Sequence, residues 1–179
     1  MTTWIYVDES KQASYFLAAV TVEDRTAARR AVRDLILPGA RRLHMHNEAL
    51  RRRERIVASL ATMPIRATVY EARSATYLTE RDARGACLKA LVEDLMRSGG
   101  ESSILLERDD GMVRFDAATL YGAIQAGRRA GYGGTLYFNH QRAYEEPLLA
   151  LPDIVAWCWA RSRRWRQRLT PILTELRNA

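Results

Sequence analysis

The chain has 179 residues, 47% of them hydrophobic, with a formal net charge of +7. That composition excludes a disordered chain, and the length suits a single domain, 1–179, with a sizeable core. No apolar run is long enough to cross a bilayer and no basic-then-apolar leader opens the chain, so no membrane association is expected.

The basic balance suits a polyanionic partner such as DNA or RNA. Of the 28 basic residues only Lys11 and Lys89 are lysines. Arginine favours bidentate phosphate contacts, but the same bias fits a GC-rich coding sequence, so charge alone assigns no function. Cys87 and Cys158 stand apart, outside any CxxC pair or zinc spacing. They read as buried small hydrophobes of a protein in the reducing cytoplasm.

Trp4-Ile5-Tyr6-Val7 predicts a short buried strand that ends on Asp8, Glu9 and Ser10. After the turn Lys11-Gln12-Ala13-Ser14, the apolar run Tyr15–Val22 predicts a second strand, joined to the first as an antiparallel hairpin. Asp24 caps a helix expected over 25–37, which Pro38-Gly39 ends. Arg41 to Glu48 leads to a second helix opened by Arg51-Arg52-Arg53 and stopped by Pro64, so 24–63 reads as a helical insertion. Ile65–Tyr70 alternates and predicts a third strand.

The spacing then predicts a helix over 78–97, with Thr79 as N-cap and Glu80 and Asp82 in its first turn. Gly99-Gly100 ends it. Ser102 to Glu107 is a fourth strand, again closing on acids: Glu107, Asp109 and Asp110. Asp116 is expected to cap the next helix. Gly134–Phe138 is a fifth strand ending at Asn139 and His140. A last helix begins with a short turn at Pro147, restarts at Pro152 and carries Asp153 among apolar neighbours. The remainder, 161–179, reads as a basic tail.

Two strands therefore end on carboxylates, and parallel neighbours would set those ends side by side. Asp153 is costly to bury unpaired, so it is expected to face a polar site or a cation. Hard carboxylate oxygens suit Mg²⁺ or Mn²⁺. Strand alternation does not choose between Glu107 and Asp109, and it sends Glu9 to the face opposite Asp8. In extended chain His44, His46 and Glu48 would share one face, as a metal or general-base cluster. A plain linker fits the same residues. Arg161 to Arg168 with Trp165 could hold phosphates and stack a base, or form a solvated helix face.

The element order resembles the ribonuclease H-like fold: an α/β domain with a mixed five-stranded sheet, flanked by helices, and a two-helix insertion between strands 2 and 3. The Tyr6-Val7-Asp8-Glu9-Ser10 opening and the Leu151-Pro152-Asp153-x-Val155-Ala156-Trp157 run look like domain-of-unknown-function family 3800 (DUF3800), as does the His44 segment. The resemblance implies a metal centre of Asp8, Glu107 or Asp109, and Asp153, with Glu9 and His44 as catalytic accessories. Glu80 is the nearest candidate for that fold's helix-borne acid. Where many related chains have Glu-Ser-Gly, this one has Lys11, near enough to contact a phosphate or to repel a cation.

The chemistry implied is phosphodiester hydrolysis with cations about 3.5–4 Å apart. The functional expectation is thus a divalent-metal-dependent nuclease acting on DNA or RNA. The alternatives are a non-catalytic nucleic-acid-binding module and an interaction domain on the same fold.

Overall fold

Tyr15–Val22 is buried along almost its whole length because it runs through the middle of a sheet covered on both faces. The computed structural model describes residues 2–12, 14–73 and 76–179. In chain order the elements are β1 (Thr2–Ser10), β2 (Tyr15–Val22), α1 (Arg25–Leu35), α2 (Leu50–Leu60), β3 (Ile65–Ala72), α3 (Glu80–Ser98), β4 (Glu101–Glu107), α4 (Val113–Arg129), β5 (Thr135–Gln141), α5 (Ala150–Arg161), α6 (Arg163–Arg168) and β6 (Leu173–Asn178). The expected turn at Lys11 to Ser14 does join β1 to β2, with Ala13 outside the described residues. Among the described residues no helix is long and apolar enough to cross a membrane.

The sheet order is β5-β4-β1-β2-β3-β6. β1, β2 and β3 form an antiparallel meander. β4 lies parallel to β1, β5 parallel to β4, and β6 parallel to β3. The sheet is mixed, as expected, but carries six strands rather than five. The segment read as a tail folds into α6 and the edge strand β6. Its sequence, Leu173-Thr174-Glu175-Leu176-Arg177-Asn178, is partly or largely exposed throughout. An edge strand with such polar faces lacks the apolar run by which strands are recognised.

Side chains alternate across a strand. Tyr6 therefore joins one core with α1, α2 and α5, while Ile5 and Val7 join the other with α3 and α4. Both layers bury large side chains such as Leu17, Ile56, Leu88 and Leu106 completely, each worth roughly 1.5–3 kcal/mol. α5 is the central helix of its layer: every residue from Ala150 to Trp159 is buried. A short 3-10 turn at Pro147–Leu149 precedes it, so the helix restarts at Ala150, and Pro152 sits in its first turn.

The helix caps mostly follow the sequence. Asp24 accepts from the backbone N–H groups of Thr26 and Ala27, and Thr79 from that of Asp82. Gly99 and Gly100 both adopt positive φ, 77° and 75°, which lets α3 stop and β4 start without a linker. Asp116 does not cap α4. Met112 holds that position, and Asp116 lies one turn in, fully buried. Both cysteines are buried and free, and burial pushes each thiol up to about 12.

Candidate active site

The parallel pairing of β1 with β4 places Val7 opposite Leu106, so Asp8 and Glu107 leave the sheet at the same rim. Above them α5 presents Asp153 from its first turn. The three carboxylates line one cleft of about 550 Å³, together with Glu9, His44, Asp109 and the cations Lys11, Arg42, Arg108 and Arg142. The cleft thus gathers Asp8, Glu9, His44, Glu107, Asp109 and Asp153 around one opening, but not His46, Glu48 or Glu80.

Each carboxylate has a different environment. Asp153 is 8% exposed. It accepts from His44 Nδ1 at 3.0 Å and from the Met45 backbone N–H at 2.8 Å. Glu107 is paired with Arg42. Asp109 accepts from the Gly111 backbone N–H at 2.9 Å, as a turn residue does. Asp110 is taken up by Arg108 and Arg142, at 2.7 and 2.6 Å. Asp8 accepts only from the backbone N–H of Glu9, at 2.8 Å. Among the described residues it has no cationic partner. Burial raises its pKa well above the ordinary carboxylate value, and the charges of Glu9, Asp153 and Glu107 raise it further. Glu107, rather than Asp109, is thus among the acids that act most strongly on Asp8.

The His44 and His46 rings stand near each other, 6.2 Å apart centre to centre, but only His44 is bonded to Asp153. His44 precedes a 3-10 turn at Met45–Asn47, which turns its ring to Asp153 and leaves His46 exposed. The hydrogen bond to Asp153 raises the His44 pKa, and burial opposes it. Glu48 turns away to Arg52, at 2.5 Å.

Glu9 lies on the opposite face of β1, in a buried network that the sequence reading missed. Arg84 Nη1 donates to Glu9 at 2.6 Å and to the Tyr15 hydroxyl at 3.1 Å. Arg84 Nε and Nη2 grip Asp116 at 2.6 and 2.8 Å. His140 Nε2 completes the set, 3.1 Å from Asp116. Burial alone would raise the Asp116 carboxyl, but Arg84 and His140 hold it below its usual value. A signal existed. Arg84 precedes Leu88 and Leu91 at helical spacing, and Asp116 precedes Leu120 and Ile124 likewise, so both sit on core-facing stripes. Lys11 is drawn to Glu80 and Glu9, at 3.4 and 3.9 Å. Glu80 itself is exposed at the start of α3 and does not line the carboxylate cleft.

The donor set is oxygen-rich, which suits a hard divalent cation. Among the described residues, however, no three His, Cys, Asp or Glu side chains stand together as a ready-made ligand group. Two reasons are visible: Glu107 is turned to Arg42, and Asp153 is held by His44 and Met45.

No family model matches the chain, and no curated protein sequence matches it. Among solved structures it is similar to the ribonuclease HII of the PCNA:RNase HII complex from Archaeoglobus fulgidus. That similarity has a TM-score of 0.57 at 18% identity, and covers 94% of this chain and 76% of that one. The fold is ribonuclease H-like. The likeness is one of architecture, and the site's chemistry rests on this chain's own residues.

Proposed function

We propose that the protein is a divalent-metal-dependent phosphodiesterase acting on nucleic acid. Asp8, Glu107, Asp109 and Asp153 would hold Mg²⁺ or Mn²⁺, with His44 and Glu9 as accessories. The observation that carries this reading is the unbalanced charge at Asp8. A largely desolvated carboxylate among other acids and without a cation is costly, and such imbalance is characteristic of sites built for a ligand. A bound cation supplies Lewis acidity and lowers the pKa of coordinated water.

This chain's own residues supply the rest. With Asp153 as acceptor, His44 Nδ1 carries the hydrogen, which leaves Nε2 as the atom that takes up or releases a proton. Arg42 neutralises Glu107 until a cation competes for it, and is then free to meet a phosphate. Arg108, Arg142 and Lys11 make the rim attractive to a polyanion. Support also comes from the ribonuclease H-like fold and from the resemblance of the Tyr6–Ser10 and Leu151–Trp157 motifs to DUF3800.

The test is cleavage of labelled DNA and RNA with Mn²⁺, Mg²⁺ or EDTA. The wild type should cut in a metal-dependent way and Asp8→Asn should not. Equal behaviour of the two proteins over the whole panel would sink the reading. The Arg42–Glu107 pair favours a second reading, in which the acids are structural and the basic rim only binds. That reading expects retention on nucleic acid that falls steeply with salt, survives Asp8→Asn, and never leads to cleavage.

A further inference from the structure

A second pocket, of about 290 Å³, opens beside the carboxylate cleft and shares His44, Asp153, Glu9 and Lys11 with it. Its own walls are Ser10, Gln12, His46 and Trp157. Resting on the phosphodiesterase reading, we infer that this pocket seats one unpaired nucleotide next to the carboxylates, so that the substrate is a single-stranded or frayed polynucleotide.

The size is the first reason. The pocket is at the lower end of small-ligand sites, which run roughly 300–1,000 Å³. It matches one nucleotide and excludes a stacked base pair. A base enters such a space only after it leaves its stack.

The lining is the second reason. The exposed His46 ring stands 6.2 Å from His44, centre to centre, at 36°, and offers a π-face at the mouth. Trp157 sits one helical turn beyond Asp153, and its indole N–H is buried without an acceptor. Gln12 adds an exposed amide that both donates and accepts. The walls therefore carry hydrogen-bonding and stacking groups, not carboxylates alone.

Charge is the third reason. The guanidiniums of Arg53 and Arg161 flank the Trp157 ring at 4.7 and 5.0 Å. Arg53 is committed to the Met45 and His46 carbonyls, at 2.9 and 2.8 Å, which fixes the turn that carries His46. Arg161 is exposed and, among the described residues, makes no ion pair. With Lys11 on the other side, a strand crossing from pocket to cleft meets cations at both ends.

The experiment is fluorescence anisotropy in EDTA, where binding is read without cleavage. Probes are labelled oligothymidylate, oligouridylate and a duplex of equal length. Proteins are the wild type, Asp8→Asn, His46→Ala, Arg161→Ala and, on the far face of the sheet, Arg129→Ala. Single strands should bind more tightly than the duplex, and the two single-strand probes separate DNA from RNA. His46→Ala should weaken single-strand binding by roughly tenfold, as lost stacking does. Arg161→Ala should weaken it and reduce the salt slope by about one. Asp8→Asn, which removes a negative charge beside the strand, should tighten it, and Arg129→Ala should leave it in place.

Duplex binding as tight as single-strand binding overturns the inference, as does indifference to His46→Ala in a protein whose circular dichroism is unchanged. Binding that depends on His46 without cleavage under any metal condition would leave the pocket standing and fell the phosphodiesterase reading. Cleavage with no such dependence would do the reverse.

Discussion

Asp8 and Glu9 are neighbours in the chain and meet opposite surroundings. Glu9 enters a closed network in which Arg84 answers both Glu9 and Asp116, with Tyr15 and His140 at its edges. Asp8 enters a cleft among other carboxylates, and burial first, then their charges, raises its pKa. One face of β1 has balanced its charges and the other has not. A balanced buried network specifies structure, whereas an unbalanced one has room for a ligand.

The comparison breaks most visibly on the balanced side. Arg84→Met leaves the buried Asp116 without its guanidinium partner and Glu9 with only the more distant Lys11. It should cost on the order of 3–5 kcal/mol, read as a lower urea midpoint. Near-wild-type stability would mean that the network is not the structural half of the pair.

His44→Ala is the next largest. It removes one of the two groups that bond Asp153 and should cost about 1–3 kcal/mol. The raised pKa of His44 sets the sign of the pH dependence. Protonated His44 stabilises the fold below its unfolded pKa of about 6.5, and that gain fades as pH rises through the folded value. Thermal denaturation should therefore show a larger penalty for His44→Ala in mild acid than in alkali.

Asp8→Asn should act in the opposite direction and more weakly. The amide relieves like-charge repulsion, so the metal-free variant should melt higher at neutral pH. A gain of about 1 kcal/mol corresponds to ~2–4 °C in a domain of this size. The pKa of Asp8 is raised in the folded state, so the folded protein binds the proton more tightly than the unfolded chain does. Stability on this account falls as pH climbs through the folded pKa, and the advantage of Asp8→Asn should vanish towards acid. Mn²⁺ should reverse the ranking by stabilising the wild type more. A variant that melts lower at neutral pH would mean that Asp8 is already balanced.

Arg97→Ala sets the floor. Arg97 pairs with Glu93 one turn away on an exposed stretch of α3, and its loss should leave the urea midpoint within experimental error of the wild type. A larger effect would show that surface pairs blur the contrast between the two faces.

Much of the site was legible in the chain because its signals are local. Apolar runs ending in acids mark β1 and β4, and β1–β4 pairing follows from the order of elements. An aspartate among the core residues of α5 declared that it needed a partner. β6 was illegible because an exposed edge strand has no apolar run. The His44–Glu48 alternation pointed to one shared face; the two imidazoles do stay close, but the 3-10 turn at Met45–Asn47 gives only His44 to Asp153, and Glu48 goes to Arg52. Arg84 and Asp116 were visible as core-facing positions, yet their pairing spans 32 residues, and no local pattern joins them.

The sequence by itself determined which residues would gather: Asp8, Glu107, Asp109, Asp153 and His44 all line one cleft. Strand periodicity also determined that Glu9 would turn away from Asp8. Only the tertiary structure decided which of these charges are answered. Arg84 reaches Glu9 from α3, Arg42 reaches Glu107 from the insertion, and His44 reaches Asp153 across 109 residues. Electrostatic balance depends on distance through space and on burial, and both are set when the layers pack. That is why a strand ending in two acids became one carboxylate held in an ion-pair network and one without a cationic partner among the described residues.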